Sequence, residues 1–267
     1  MNLREQISQY SVPAGRVPLW WLGQNGWILK SPAGKLIAID PYLTNACKAV
    51  GAAVGINMDR MVPAVLAPDG LMGIDLYVMT HGHEDHFDPE TIVPYRAAGG
   101  HGPFVAPPET CEKLAKLGVP DAEILMTWPN KEHSCGDVTL RATFAIPFGP
   151  DDMTHVGYVV KIEQGPTLYF TGDTRYHEVL PSCVMHHKPD VLVTVINPFA
   201  NLDPGQAARL AKEIDAKVVI PCHYDLFPDN SLPPRLLRSN LILLGIGDRY
   251  RELKHGEVYT YPEAMTL

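Results

Sequence analysis

The feature that most constrains this chain is a run of metal-binding residue types directly after an apolar, strand-like segment. Three histidines and an aspartate fall within six positions, in the run His81-Gly-His83-Glu-Asp85-His86. Imidazole and carboxylate are ligands that suit Zn²⁺, Mn²⁺ or Fe²⁺. On a tightly turning loop, His81 and His83 can face one ion while Asp85 and His86 face a second. A chance cluster on a surface loop is the competing interpretation, but this spacing after a strand favours a metal site.

Three further residues at strand ends are candidates to complete this site. Asp173 follows an apolar strand in the run Thr-Gly-Asp-Thr, where a carboxylate could bridge two ions. His223 also follows an apolar strand, and His155 directly precedes one. In isolation, an aspartate at such a position is more often a turn residue, and a histidine is more often a half-buried polar residue. Beside the histidine run we expect Asp173 and His223 to be ligands, whereas the residues leave open whether His155 is one.

Alternating strand and helix patterns predict a mixed α/β (α+β) fold. Strand-like runs lead both halves of the chain, beginning with an opening hairpin over residues 17–40. Asp203 followed by Pro204 is typical of a helix start, and apolar residues recur with helical spacing beyond it. Residues 47–73 lack a clear periodicity, and we interpret them as a long loop or irregular helix over the site. We expect a single domain, residues 1–267, in which sheets form a sandwich flanked by helices.

Charge and cysteine usage restrict the partners and the compartment. The formal net charge of −8 provides no broad cationic face for nucleic acid, although a small anionic substrate needs only a few cations. The five cysteines are scattered and form no C-x-x-C pair, which favours reduced thiols over a disulfide framework. The polar N-terminal residues and the lack of a long apolar run favour a soluble, cytoplasmic protein. We therefore expect a small-molecule substrate and neither a nucleic-acid nor a membrane partner, and homo-oligomerisation stays open.

Together these residues resemble the signature of a known enzyme family. The run His81-x-His83-x-Asp85-His86, the later Gly172-Asp173 and the final His223 are similar to the signature of the metallo-β-lactamase superfamily. Other stretches are similar to its L-ascorbate-6-phosphate lactonase branch: Trp20-Trp-Leu-Gly-Gln-Asn-Gly-Trp-Ile-Leu-Lys-Ser31, Ile39-Asp40-Pro41-Tyr42, Phe104-Val-Ala-Pro107 with Thr110-Cys111 and Gly118-Val-Pro120, Tyr169-Phe-Thr-Gly-Asp173-Thr-Arg-Tyr176, and Ala216-Lys-Val-Val-Ile-Pro-Cys-His223-Tyr-Asp225. The resemblance extends over residues 18–227, which is most of the chain.

The resemblance implies a four-layer αββα sandwich in which loops at one edge of two sheets carry the metal ligands. It also implies a hydrolytic centre with one or two divalent ions, manganese in the lactonase and zinc in many relatives, while the residue types also allow iron. Two departures matter. The lactonase has no histidine that aligns with His155, which bears on whether this chain binds one ion or two. Asp173 stands where many true β-lactamases carry a cysteine ligand, which weighs against antibiotic hydrolysis.

The expected reaction is hydrolysis of a lactone, with the lactone of a phosphorylated sugar acid as one candidate. The ions would lower the pKa of a bound water, so that a hydroxide attacks the carbonyl at neutral pH. Asp85 would orient this nucleophile and pass its proton to the leaving oxygen. Arg175 is the candidate for binding an anionic end of the substrate, because a guanidinium can fork onto phosphate. Tyr176 and Tyr224 are candidates for the wall of the pocket.

Two other functions fit the same residues. A two-ion centre also suits in-line displacement at phosphorus, so a phosphodiesterase acting on a small or cyclic phosphate stays open. The second alternative is a metal-binding protein without turnover. Degenerate members of the family would be expected to lose ligands, whereas this set is complete, and we therefore prefer the hydrolysis of a lactone.

Overall fold

The computed structural model describes residues 2–147, 149, 153–199 and 201–263. Its α-helices are α1 (Leu3–Gln9), α2 (Cys47–Val54), α3 (Pro89–Ala97), α4 (Pro108–Lys116), α5 (Val179–Val184), α6 (Pro204–Glu213) and α7 (Arg235–Leu243). Its strands are β1 (Val17–Gly23), β2 (Gly26–Lys30), β3 (Leu36–Ile39), β4 (Leu76–Val78), β5 (Phe104–Ala106), β6 (Ile124–Met126), β7 (Glu132–Cys135), β8 (Val138–Phe144), β9 (Val156–Ile162), β10 (Thr167–Phe170), β11 (Val191–Val195), β12 (Val218–Cys222) and β13 (Val258–Tyr261). Within these ranges, no helix combines the length and the apolar character needed to cross a bilayer.

The strands form two sheets that face each other. The first sheet has the strand order β13-β1-β2-β3-β4-β5-β6, and the second has the order β12-β11-β10-β9-β8-β7. In each sheet antiparallel hairpins give way to parallel strands, from β3 to β6 in the first and from β10 to β12 in the second. Helices pack on the outer faces of both sheets. The predicted four-layer αββα sandwich is confirmed.

The largest hydrophobic cluster lies between the two sheets, because their strands carry apolar side chains on the facing sides. Trp21 and Trp27 belong to this cluster, whereas Trp20 belongs to the cluster on the outer face of the first sheet. This division follows from the alternation of side chains along a strand. Strand β11 is buried along its whole length between two parallel neighbours, which explains its uninterrupted apolar sequence.

The topology brings the candidate ligands to one edge of the sandwich. The histidine run follows β4, Asp173 follows β10, and His223 follows β12. Two backbone hydrogen bonds join the sheets at this edge. The amide of Val156 donates to the carbonyl of Thr80 (3.0 Å), and the amide of His223 donates to the carbonyl of Gln24 (2.9 Å). Loops from both sheets are therefore held against each other where the ligands are expected.

Residues 47–73 are more regular than their composition suggests. The segment contains helix α2 and the short 3₁₀ helix Pro68–Leu71, with an irregular stretch between them. Helix α3 is a further element, which is not among those expected from the sequence above. Pro94 lies inside this helix, and proline in a helix interior ordinarily indicates that a helix ends. The start of α3 nevertheless has the same Asp-Pro pattern as α6, because Asp88 is the N-cap and Pro89 is the first helical residue.

The start of α6 confirms the N-cap that the sequence predicts. Asp203 Oδ1 accepts hydrogen bonds from the backbone amides of Gly205 (2.7 Å) and Gln206 (2.8 Å), and Gln206 Oε1 accepts one from the amide of Asp203. We expect Asp203→Ala to lower the free energy of unfolding by about 1 kcal/mol, because the helix loses its cap. Urea unfolding measures this loss. Glu112→Ala on the exposed face of α4 is the control, and equal unfolding midpoints for the two variants would contradict the prediction.

Candidate metal centre

The loop that follows β4 presents the histidine run on a tight turn. The backbone amides of His86 and Phe87 both donate to the carbonyl of His83, at 3.0 and 2.7 Å. Asp88 then caps α3 by accepting a hydrogen bond from the amide of Glu90 (3.0 Å). The turn is therefore fixed by a strand before it and a capped helix after it, so its side chains are held in defined positions.

The first group of candidate ligands consists of His81, His83 and His155. One ring nitrogen from each of these residues lies within 4.8 Å of the other two. The Nε2 atom of His81 is 2.9 Å from the Nδ1 atom of His83, and the ring centroids of His81 and His155 are 3.9 Å apart. His155 reaches this position because the first residue of β9 is bonded to the backbone of Thr80. The structure thus places His155, whose role the sequence leaves open, beside His81 and His83.

The second group consists of Asp85, His86 and His223, and all three side chains are buried. The Nε2 atom of His223 is 3.1 Å from Asp85 Oδ2, and the Nε2 atom of His86 is 3.6 Å from the same oxygen. Asp85 and His86 come from the loop after β4, whereas His223 comes from the opposite sheet. Residues distant in sequence therefore form one compact set of donors.

Asp173 lies between the two groups. Its Oδ1 atom is 3.4 Å from the Nε2 atoms of both His86 and His223. It also forms a set with His81 and His86 whose donor atoms lie within 4.8 Å of one another. A carboxylate 3.4 Å from two histidines of the second group and within 4.8 Å of His81 in the first could bridge two ions, which is the role expected from the sequence.

Asp40, at the end of β3, is a buried carboxylate behind His86. Its Oδ2 atom accepts hydrogen bonds from His86 Nδ1 (2.7 Å), Thr80 Oγ1 (2.5 Å) and Asn25 Nδ2 (2.8 Å). Because Nδ1 is engaged, the ring orientation is fixed and Nε2 is directed towards Asp85 and Asp173. Asp40 is a residue of the site that is not among the candidates expected from the sequence, although an aspartate that follows a strand, as Asp173 does, could have indicated it.

Strained backbone conformations occur at the same place. Gln24, Asp40 and His223 have φ values of 52°, 42° and 62°, in the left-handed region that residues other than glycine rarely adopt. Such conformations persist only where the surroundings enforce them, and they cluster at functional sites. The three residues belong to three different loops, so this edge of the sandwich as a whole is constrained.

The electrostatics of the cluster favour a cation. Burial lowers the pKa of His81 well below its ordinary value, and the neighbouring histidines, first His86, lower it further, so the ring can offer a lone pair. Burial alone would lower the pKa of His86, but Asp173 and Asp85 outweigh it and raise that pKa. Burial opposes the ionisation of Asp85, yet His86 and His223 hold the pKa of this carboxyl below its ordinary value. The same negative potential attracts a metal ion.

The donor atoms fit a divalent metal ion. His86 Nε2 and Asp173 Oδ1 are both buried, and neither has a hydrogen-bond partner within the part of the chain that the structure describes. A buried polar atom without a partner carries a free-energy cost, which a shared cation would remove. Imidazole combined with carboxylate suits Zn²⁺, Mn²⁺ or Fe²⁺.

Neutral amides surround the charged cluster. Gln24 Nε2 donates to Asp85 Oδ2 (2.8 Å) and lies 3.2 Å from both ring nitrogens of His223. Asn201 Nδ2 donates to Asp173 Oδ2 (2.7 Å) and to Asn197 Oδ1 (2.9 Å). The sequence pattern predicts none of these amides, because asparagine and glutamine have neither a charge nor a ligand spacing that marks a site.

A cavity of about 280 Å³ opens over the cluster and makes it accessible to a small molecule. Four candidate ligands line it, namely His83, Asp85, His155 and Asp173. Helix α2 and the loop after it contribute Cys47, Val50, Ile56 and Met58. The loops after β11 and β12 contribute Asn197, Phe199, Asn201 and Asn230, and Glu84 completes the lining. Burial raises the pKa of the Cys47 thiol, so this side chain is an uncharged part of the wall.

The three residues predicted to bind substrate do not line this cavity. Arg175 is exposed at the surface. The Tyr176 hydroxyl donates to Glu213 Oε2 (2.8 Å), and the buried Tyr224 hydroxyl donates to the carbonyl of Leu253 (3.1 Å). Intramolecular hydrogen bonds and packing therefore explain the positions of both tyrosines.

Known proteins share the ligand-bearing part of this chain. A family described as "Beta-lactamase superfamily domain" matches residues 37–224. A UPF0173 metal-dependent hydrolase from Myxococcus xanthus is 30% identical over 225 residues, which cover 80% of this chain and 72% of that protein. The probable L-ascorbate-6-phosphate lactonase UlaG from Escherichia coli is 27% identical over 275 residues, which cover 88% of this chain and 77% of that protein.

Solved structures show the same fold. Igni18, a metallo hydrolase from the archaeon Ignicoccus hospitalis, matches with a TM-score of 0.72 at 21% sequence identity, over 93% of this chain and 99% of that one. The family match includes every loop that carries a candidate ligand, from His81 to His223. The chain therefore belongs to the metallo-β-lactamase superfamily, in the branch of metal-dependent hydrolases that includes the UlaG-like lactonases.

Proposed function

We propose that this metal-dependent hydrolase opens a lactone ring at the candidate centre, with manganese or zinc as the first choice of ion and iron as the next. The observation that carries the proposal is the convergence of imidazole and carboxylate donors beneath one cavity. His81, His83 and His155 would hold the first ion, Asp85, His86 and His223 would hold the second, and Asp173 would be available to both.

The reaction is the addition of water to an acyl carbon. When bound, the ions lower the pKa of water towards neutrality and polarise the acyl oxygen. Asp85 lines the cavity and is the proposed catalytic residue. It accepts a proton from the attacking water and returns this proton to the ring oxygen as the acyl C–O bond breaks. The water oxygen ends on the acyl carbon, and the product is an open-chain hydroxy acid.

Gln24 is proposed to position Asp85 for this proton transfer. We expect Gln24→Leu to lower kcat roughly 10- to 150-fold, because a hydrogen bond to a charged group contributes about 1.5–3 kcal/mol. Leucine keeps most of the side-chain volume but cannot donate to Asp85 Oδ2. The metal content should stay at the wild-type value, since Gln24 is not among the proposed ligands. An unchanged kcat, or a loss of metal in parallel with activity, would contradict this role.

The proposed function is tested with a panel of lactones and with bis-p-nitrophenyl phosphate, assayed on protein that was stripped of metal and then reconstituted. We expect metal-dependent release of hydroxy acid from at least one lactone and little cleavage of the phosphodiester. Cleavage of the phosphodiester without hydrolysis of any lactone would instead support the phosphodiesterase alternative. A centre with two groups of ligands also permits that reaction. Full metal content without turnover of either class would indicate a metal-binding protein that is not an enzyme.

A further inference from the structure

The cavity over the candidate centre has an unusual charge pattern for a site that takes a phosphorylated substrate. None of the residues that line it is a lysine or arginine, although all 22 lysines and arginines fall within the described ranges. Three carboxylates line it instead, those of Glu84, Asp85 and Asp173, and the last two are proposed ligands of the ions. Apart from the ions, an anionic group in the cavity would meet no cationic side chain and would share the cavity with the Glu84 carboxylate, which is unfavourable.

The cations of the adjoining segment have other partners. Lys48 Nζ, on α2, lies 2.6 Å from Asp59 Oδ2 in an exposed ion pair. Arg60 Nη1 donates to the carbonyls of Tyr42 (3.1 Å) and Thr44 (3.0 Å). The side of the cavity formed by α2 and the loop after it therefore offers no cation in the position where an anionic substrate would need one.

The wall of the cavity is largely apolar. Val50, Ile56, Met58 and Phe199 contribute hydrocarbon and aromatic surface. Val50 and Phe199 are also 40% and 42% exposed, so apolar side chains extend from the lining to the entrance. Apolar surface that remains exposed beside a group of convergent polar atoms is typical of a ligand site. The part of the substrate that is not chemically changed would lie against this surface.

The polar groups of the remaining wall are neutral. Asn230 Oδ1 accepts a hydrogen bond from Asn197 Nδ2 (2.9 Å), which leaves Asn230 Nδ2 to donate to a carbonyl or ring oxygen. Asn197 also accepts the bond from Asn201, so the amides form a chain that ends at Asp173. Such a wall can donate to the carbonyl or ring oxygen of an uncharged ester-like group and adds no positive charge for a phosphate.

We propose that the substrate is an uncharged lactone with a short aliphatic chain, whose chain contacts Val50 and Phe199. This inference rests on the proposed lactone-opening function and specifies its substrate class. It departs from the expectation of a phosphorylated sugar acid. The cavity volume of about 280 Å³ is slightly below the usual range of about 300–1,000 Å³ for drug-sized ligands, so the chain should be short.

The inference is tested by comparing kcat/KM for γ-octalactone and γ-butyrolactone, and for phosphogluconolactone and gluconolactone, with metal-loaded protein. Each fully buried methylene is expected to raise kcat/KM roughly fourfold, so γ-octalactone should exceed γ-butyrolactone at least about tenfold. Phosphogluconolactone should react at least about tenfold more slowly than gluconolactone. A ratio near one for the first pair, or faster turnover of the phosphorylated lactone in the second, would overturn the inference.

A variant with a charged side chain in the apolar wall tests whether this wall causes the preference for a lactone with an aliphatic chain. We expect Val50→Lys to reduce the ratio of kcat/KM between γ-octalactone and γ-butyrolactone by about fourfold or more, and to raise the relative rate with phosphogluconolactone. Leu243→Lys is the matched control, because Leu243 is a highly exposed aliphatic residue on α7 that does not line the cavity. Equal ratios for the two variants would contradict the assigned contact.

Equilibrium binding separates this inference from the proposed function. Pyrrolidinone and its butyl derivative are lactams that imitate the two γ-lactones, and their binding to the metal-loaded protein can be measured by calorimetry. Tighter binding of the butyl lactam supports the aliphatic substrate class even if no lactone is opened, in which case only the lactone-opening function fails. Equal affinity for both lactams would overturn the inference whatever the turnover shows.

Discussion

Asp173→Ala is expected to lower kcat/KM roughly a thousandfold, which corresponds to about 4 kcal/mol of transition-state stabilisation. The physical reason is that Asp173 Oδ1 lies 3.4 Å from the Nε2 atoms of His86 and His223 and that its donor atom also lies within 4.8 Å of His81 in the first group. Loss of this carboxylate removes the proposed bridge and one of the buried carboxylates that face those imidazoles, although Asp85 and Asp40 remain. We therefore expect the bound metal, measured by elemental analysis, to fall in the same variant.

The control for this experiment is Asp190→Ala. Asp190 precedes β11 in the same sheet, and its Oδ2 accepts a hydrogen bond from the amide of Thr167 (2.9 Å), at the end of the strands away from the centre. This variant should keep its metal and its activity, even if its stability decreases. If Asp173→Ala also kept its full metal content and rate, Asp173 would not be a ligand.

Asp40→Ala is expected to have the largest effect on stability. Breaking a buried charged pair typically costs about 3–5 kcal/mol, because the remaining partner is left uncompensated. Asp40 holds His86 Nδ1 at 2.7 Å and also accepts from the side chain and the backbone amide of Thr80. Outer carboxylates that orient a ligating histidine typically change metal affinity by about 10–100-fold. Chemical unfolding and metal titration of the same variant measure the two effects.

Asp215→Asn serves as the comparison for Asp40→Ala. Asp215 also has a positive φ, of 54°, but its side chain pairs with Arg249 at the surface and lies outside the cavity lining. The Asp215→Asn variant should therefore keep the metal affinity of the wild-type protein. A fully stable Asp40→Ala protein with wild-type metal affinity would show that His86 does not depend on this carboxylate.

Much of the fold and the candidate site could be predicted from the sequence because the relevant residue types carry a clear chemical signal. The histidine run, Asp173 and His223 all follow apolar strands, and strand ends at one edge of a sandwich are brought together by the topology. The sequence also predicts the apolar strand β11 and the capped start of α6, because burial and capping impose specific residue types.

The rest could not be predicted because it depends on tertiary contacts. Gln24 and Asn201 meet the cluster from separate loops, and a neutral amide has no pattern that distinguishes a site from a turn. The position of His155 also depends on a tertiary contact, the hydrogen bond between the start of β9 and the loop after β4. Tyr176 was a candidate substrate residue because it is close to Asp173 in sequence. In the structure its hydroxyl donates to Glu213 instead, because residues close along a loop can lie on different sides of it.

We propose that separate loops build one metal centre at this edge of the sandwich. Anomalous diffraction from crystals grown with Mn²⁺ or Zn²⁺ locates the ions themselves. We expect anomalous density within coordination distance of His81, His83 and His155, or of Asp85, His86 and His223, with Asp173 beside it. Density elsewhere on the protein, with these side chains bonded only to one another or to water, would show that they do not form a metal centre.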